Sequence, residues 1–239
     1  MPSIAEIRSQ VERQIPGALS GFKRSTPEVF PTGIPAIDRE LGGIPKGALT
    51  QICAPAGITS GRTSMLVAML AQATGKEQFC ALVDAMDCFD PESAEANGVC
   101  LSYLLWVRCS GRRMKSVEQA FKAADILIQN GGFGVIAIDL GDVNEKLIRK
   151  IPLTTWFRFA RVMEPLPTAL VMLLPYPAAQ NCAALTLNVS ASAQWSGTGT
   201  LPHNQLLSKV EFKVEVVRTR TRKPVQRMRN NATGISQKR

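Results

Sequence analysis

The chain has 239 residues, of which 45% are apolar and 20% charged. That is ordinary globular usage, and it excludes wholesale disorder, collagen and coiled coil. The net charge of +9 is lopsided: residues 218–239 hold eight of the 28 cations and none of the 19 acids, which leaves residues 1–217 at +1. No stretch approaches the ~20 consecutive apolar residues of a membrane span. The start, Met1-Pro2-Ser3-Ile4-Ala5-Glu6, has no basic lead followed by an apolar block, so a cytoplasmic protein without a secretory signal is expected.

In chain order, Ile4, Ile7, Val11 and Ile15 fall at helical spacing and predict a short amphipathic helix that ends before Pro16 and Gly17. A loop is expected over 20–32. Short apolar runs then alternate with helical patterns. Strands are predicted over 48–54, 79–83, 104–109, 135–140, 169–174 and 184–189, and helices over 64–73, 116–129 and 155–163. Residues 210–217 alternate (Val210, Phe212, Val214, Val216) as a half-exposed strand should.

Strands apolar on both faces and separated by helices predict an α/β fold, a mostly parallel sheet covered on both sides. The last two strands predict an antiparallel edge. The expected organisation is an N-terminal helix and linker (1–31), a core domain (32–217) and a basic, flexible tail (218–239). Residues 190–203 read as a further linker.

Chemistry concentrates after the strand at 48–54. Pro55-Ala56-Gly57-Ile58-Thr59-Ser60-Gly61-Arg62-Thr63-Ser64 leads into a helix. In such a loop the backbone N–H groups and the helix N-terminus form an anion cradle. The fit to G-x-x-x-x-G-K-[ST] is partial: Gly61 and Thr63 match, Arg62 stands at the lysine position, and Ala56 stands at the first glycine with Gly57 beside it. Arginine keeps the charge as a broad planar fork. Gly57, Ser60, Gly61, Arg62, Thr63 and Ser64 are the candidate nucleotide ligands. Phe133-Gly134-Val135-Ile136-Ala137-Ile138-Asp139 is an apolar strand ending in a carboxylate that can orient magnesium. Thr63 and Asp139 are therefore the candidate metal residues.

Taken in order, these segments resemble the RecA family. Thr32-Gly33-Ile34-Pro35-Ala36-Ile37-Asp38 and Gly42-Gly43-Ile44-Pro45-Lys46-Gly47 are similar to the family's lead-in. The stretch from Ala81 through Asp84, Met86 and Asp90 to Pro91 resembles its F-I-D-A-E-H-A-L-D-P segment, and Asn97-Gly98-Val99 with Leu104-Leu105 resembles the continuation. The similarity runs over 32–174. It implies a RecA-like phosphate-binding-loop core, ATP or ADP with magnesium, DNA as a partner and subunit packing through the N-terminal helix.

The departures are chemical. Arg62 replaces the lysine, and the loop is two residues longer counted from Pro55. Met86 falls at the catalytic glutamate, and methionine cannot act as a base. Pro175-Tyr176 falls at the nucleotide-sensing glutamine. The segments that would carry the DNA-binding loops are short.

This pattern is similar to the shortened RecA-like proteins of the ImuA type, bacterial accessory factors in SOS mutagenesis. It implies a DNA repair and translesion synthesis role with a degenerate nucleotide site, weak or no ATPase, and a recombinase or translesion polymerase as protein partner. The alternative is a DNA-dependent ATPase with rearranged chemistry, in which Asp87 would orient water. A third reading keeps the scaffold only as an interaction module.

The tail cations Arg218, Arg220, Arg222, Lys223, Arg227 and Arg229 are the candidate DNA contacts. Without an aromatic residue beside them, they would bind phosphates weakly and non-specifically. Six cysteines without a C-x-x-C pair predict reduced, buried thiols. His203 reads as ordinary surface. Trp156-Phe157-Arg158-Phe159 reads as packing a helix on the sheet, with a partner-binding face as the sharper reading, and Trp106 reads as core. Asp84, Asp87 and Asp90 read as caps of a strand end and turn.

Overall fold

A computed structural model describes residues 3–15, 28–55, 60–109, 114–196 and 206–219. Helix α1 (Ile4–Gln14) is closed by a reciprocal cap: the Ser3 hydroxyl accepts from the Glu6 N–H, and the Glu6 carboxylate accepts from the Ser3 N–H. Its apolar stripe is not covered, since Ile4, Ile7 and Ile15 are exposed.

Strands β1 (Val29–Phe30) and β2 (Ile44–Pro45) form a small antiparallel ribbon around helix α2 (Pro35–Leu41). The Thr32-Gly33…Asp38 pattern has a direct physical basis. The Asp38 carboxylate accepts from the Thr32 N–H at 2.7 Å, the Thr32 hydroxyl at 2.8 Å and the Gly33 N–H at 3.1 Å. One side chain from inside the helix thereby satisfies the turn that precedes it.

The main sheet has seven strands: β3 (Ala48–Cys53), β4 (Cys80–Asp84), β5 (Leu104–Arg108), β6 (Val135–Asp139), β7 (Ala169–Leu174), β8 (Leu185–Ser196) and β9 (Leu206–Thr219). Their order is β5-β4-β6-β7-β3-β8-β9, and every pairing is parallel except β8 with β9. The antiparallel edge is thus the β8–β9 pair, with β8 itself parallel to β3.

Both faces are covered, as near-continuous apolar strands require. Ile136, Ile138, Leu170 and Met172 pack beneath α5 (Met114–Asn130) and α7 (Leu153–Met163). Val135, Ala137, Val171 and Leu173 pack against α3 (Arg62–Thr74) and α4 (Pro91–Ala96). A short α6 (Glu145–Ile148) follows β6.

Trp156 and Phe159 are buried on α7, and each places its ring against Phe121 of α5. Trp106 is only half-buried, edge-on to Phe89, with the Arg108 guanidinium over its ring.

Several boundaries differ from the sequence reading. Strand β8 continues to Ser196 where a linker was expected from residue 190, because β9 supplies a hydrogen-bonding partner along that length. Strand β9 runs to Thr219, so Arg218 is a strand residue. Cys53, Cys80, Cys109 and Cys182 are buried free thiols, but Cys88 and Cys100 are exposed, since both sit in connections rather than in strands. Residues 20–27, His203 and 220–239 lie outside the described residues.

Candidate functional site at the carboxyl ends of the central strands

In an open parallel sheet, ligand sites form outside the carboxyl ends of the strands. Here β3, β6 and β7 end side by side, and the first residue of α3 reaches across them. Gly61 is the N-cap of α3 at φ +80, a left-handed conformation that favours glycine. Ser60 is buried and its hydroxyl accepts from the Arg62 N–H. Thr63 and Ser64 stand exposed on the first turn. Ala56, Gly57, Ile58 and Thr59 lie outside the described residues.

Arg62 is only 5% exposed. Its Nη1 donates to three backbone carbonyls: Ala54 at 2.5 Å, Gly141 at 2.9 Å and Leu174 at 3.3 Å. Its Nη2 donates to Asp142 Oδ1 at 3.1 Å. The carbonyls follow β3, end β7 and belong to the turn after β6. A buried charge needs such a set of partners, and each buried carbonyl left unpaired would cost about 1–3 kcal/mol.

Asp139 ends β6. Its Oδ1 accepts from the Gly141 N–H at 2.9 Å, and it stands opposite Asp84 in the register of β4. Burial first, and then the neighbouring Asp84 and Asp142, push its carboxyl up to about 6; the Gly141 N–H and Arg62 pull the other way.

Gly141 leaves room for the guanidinium. A Cβ there would lie 2.9 Å from Arg62 Cζ and 3.1 Å from both Arg62 Nη2 and Asp139 Oδ1. Gly141 and Asp142 were not among the residues singled out from sequence. The signal available was the Asp139-Leu140-Gly141-Asp142 run directly after an apolar strand.

The RecA N-terminal domain family matches residues 4–145. The chain belongs to that family. RecA of Methylococcus capsulatus is 38% identical over 114 residues, which is 47% of this chain and 31% of the relative. RecA of Brucella anthropi is 33% identical over 138 residues, 55% of this chain and 36% of the relative. RecA of Saccharopolyspora erythraea is 33% identical over 139 residues, 57% and 38% respectively. The match spans about a third of the length of these relatives.

RecA-family membership raises the question of whether a nucleotide with magnesium suits these residues. Among the described residues, the side chain at the lysine position does not face outward; residues 56–59 of the loop lie outside them. That side chain is turned inward, its Nη1 donating to the protein's own carbonyls and its Nη2 to Asp142. Thr63 is exposed on its turn, and the Asp139 carboxylate holds the Gly141 N–H.

The segment after β4 places the remaining candidates. Asp84 is buried and accepts from the Met86 and Phe89 N–H groups, closing the turn. Met86 is exposed. Asp87 sits at φ +56 and accepts from Arg108 through both oxygens, at 2.6 and 2.7 Å. The bond to Arg108 holds its carboxyl below the usual range. Asp90 is the N-cap of α4. Asp84 and Asp90 thus cap, whereas Asp87 makes an ion pair.

A cavity of about 390 Å3 opens beside the site, between the Pro175-Tyr176-Pro177 turn and Asn188, Lys213 and Glu215 of the β8–β9 pair. The Arg149 guanidinium lies over the Tyr176 ring. Of the six candidate DNA contacts, Arg218 lies on β9 and donates to Asn181. Arg220, Arg222, Lys223, Arg227 and Arg229 lie outside the described residues. No described helix is long and apolar enough to cross a membrane.

Proposed function

We propose that this RecA-family chain is a DNA repair accessory protein of the ImuA type, acting in SOS mutagenesis and translesion synthesis through contacts rather than through catalysis. Its nucleotide site is degenerate, with weak or no ATP hydrolysis. Its partners are a recombinase or a translesion polymerase, and DNA held weakly by the cations from Arg218 to Arg229. The exposed stripe of α1 serves subunit packing, and the protein works in the cytoplasm.

The observation that carries this reading is the fate of the two chemical positions. Arg62, at the lysine position, is buried, with its Nη1 on backbone carbonyls and its Nη2 on Asp142. Met86, at the glutamate position, is exposed and offers no base. Asp87, the neighbouring carboxylate, is held by both oxygens to Arg108. A site that activates water needs a free base within reach of it.

Steady-state ATP hydrolysis, measured with and without single-stranded DNA, tests the catalytic half. The expected outcome is no DNA-stimulated turnover. Turnover that disappears in Asp87→Ala while nucleotide binding survives would favour a DNA-dependent ATPase instead. Anisotropy of a labelled oligonucleotide tests the tail. Binding should weaken steeply with salt, because each phosphate contact releases a counterion. It should be lost when Arg220, Arg222 and Lys223 are changed together to alanine; unchanged binding would remove the tail from the interface.

A further inference from the structure

We infer that β9 is a self-pairing edge: two copies of this chain join antiparallel through residues 209–215, with Phe212 at the two-fold axis. The inference is independent of the nucleotide site and of the DNA-repair reading. It uses a different surface from the stripe of α1.

Three observations carry it. First, the edge is open. Strand β9 ends the order β5-β4-β6-β7-β3-β8-β9, and among the described residues it has a strand on one side only. Such an edge presents a row of N–H and C=O groups ready to pair with another chain. Second, the stretch is regular. The register shifts of the β8–β9 pair fall between Thr186 and Leu187 and between Gln194 and Trp195, so residues 209–216 run between them without a bulge. A bulge there would twist the edge away from a second strand. Third, Lys209-Val210-Glu211-Phe212-Lys213-Val214-Glu215 is complementary to itself when reversed. In an antiparallel pair about Phe212, Lys209 of one copy stands opposite Glu215 of the other. Glu211 then stands opposite Lys213, Val210 opposite Val214, and Phe212 opposite its own counterpart.

The charges fix the register. Directly opposed residues are the interacting unit of an antiparallel pair, favourable for opposite charges and unfavourable for like ones. Sliding one copy by two residues, in either direction, sets lysine against lysine and glutamate against glutamate. Sliding it by one sets charged positions against apolar ones. Lysines alone, a common guard of an edge, would repel a second copy, whereas alternating signs at this spacing attract it. The described part of the strand alternates as this requires: Lys213 and Glu215 are exposed, and Val214 packs half-buried against the core. A two-fold pair uses the same strand twice and so closes as a dimer, joining two seven-stranded sheets into one.

Charge exchange tests this. Sedimentation velocity of the full chain over a range of concentrations is compared for the wild type, Lys213→Glu, Glu211→Lys and the double exchange, with circular dichroism to establish that each is folded. On β8, Ser190 stands opposite Lys213 and Ser192 opposite Glu211, so neither reversal sets like charges opposite each other within a copy. The wild type should show a monomer–dimer equilibrium. Each single reversal turns two opposite-charge pairs of the dimer into like-charge pairs, and should raise its dissociation constant at least about tenfold. The double exchange restores every pair and should restore the dimer. An equimolar mixture of the two single variants should also dimerise, since each supplies the sign the other lacks.

A wild type that stays monomeric at every concentration overturns the inference. A dimer that both single reversals leave unchanged overturns it too, and places the contact elsewhere, such as on α1. Single variants that lose the dimer without rescue by the double exchange overturn the register. Hydrogen exchange of the wild type needs no substitution: amides of residues 209–215 should be more protected at dimer concentrations than after dilution, and equal protection overturns the pairing.

Discussion

The Arg62 guanidinium rests against the bare α-carbon of Gly141 and donates to that residue's carbonyl at 2.9 Å. The two residues are 79 positions apart in sequence. One opens α3 and the other follows β6, and the parallel order β6-β7-β3 brings them together.

This packing predicts the cost of a methyl group. Gly141→Ala would place a carbon 2.9 Å from Arg62 Cζ, with Asp139 Oδ1 only 3.1 Å away on another side. The guanidinium has to shift off its carbonyls. Urea unfolding should show a loss of about 1–3 kcal/mol, the range for overpacking a buried site. A change within error would mean that the guanidinium can move freely.

Asp139 predicts a pH dependence of definite sign. Its carboxyl is raised from 3.8 to about 6. Between those values the folded protein holds more protons than the unfolded chain, so stability falls as pH rises through that window. Below it both states are protonated and the penalty is absent. Asp139→Asn removes the titration, and its Oδ1 can still accept from the Gly141 N–H. Stability of Asp139→Asn relative to the wild type should therefore climb by up to about 3 kcal/mol between pH 4 and pH 7. A difference that stays flat over that range would show that Asp139 does not titrate there.

Asp38 predicts a lead-in that depends on one carboxylate. Asp38→Ala removes the acceptor for the Thr32 N–H, the Thr32 hydroxyl and the Gly33 N–H at once. Thr32 is fully buried, so its groups gain no water in exchange. A loss of about 1–3 kcal/mol is expected, with Asp38→Asn recovering part of it through its remaining carbonyl oxygen. Hydrogen exchange at Thr32 and Gly33 would locate the effect; unchanged protection there would sink the account.

Much of the fold was legible because its signals are local. The runs at 135–139 and 169–174 are apolar on both faces, which in this sheet means burial under α5 and α7 on one side and α3 on the other. The alternation of residues 210–217 was legible for the same reason: Val214 and Val216 are half-buried while Lys213 and Glu215 face out. The extension of β8 to Ser196 was not. Ser190-Ala191-Ser192-Ala193 carries weak β-propensity, and it is a strand because β9 pairs with it.

The candidate site divides in the same way. The glycine loop, Asp139 and the substitutions at Arg62 and Met86 were visible as positions in a motif. The direction of Arg62 was not, since its acceptors are backbone carbonyls, which every residue has and no sequence marks. Asp87 likewise looked like a free carboxylate beside Met86. Its partner Arg108 lies on the adjacent strand β5, 21 residues on, where the β4–β5 register sets it opposite Asp84.

The sequence by itself determined the α/β class, the strand and helix on either side of the glycine loop, the aspartate that ends β6 and the separation of a neutral body from a basic tail. These follow from periodicity, from glycine's backbone freedom and from counting charges, all of which act over a few residues. Tertiary structure alone decided that Arg62 turns inward, that a side chain at Gly141 would press on the guanidinium, that Asp142 anchors the fork and that Asp139 resists ionisation. Each depends on which strand ends lie side by side and how much water they exclude. Those quantities exist only once the chain has closed on itself.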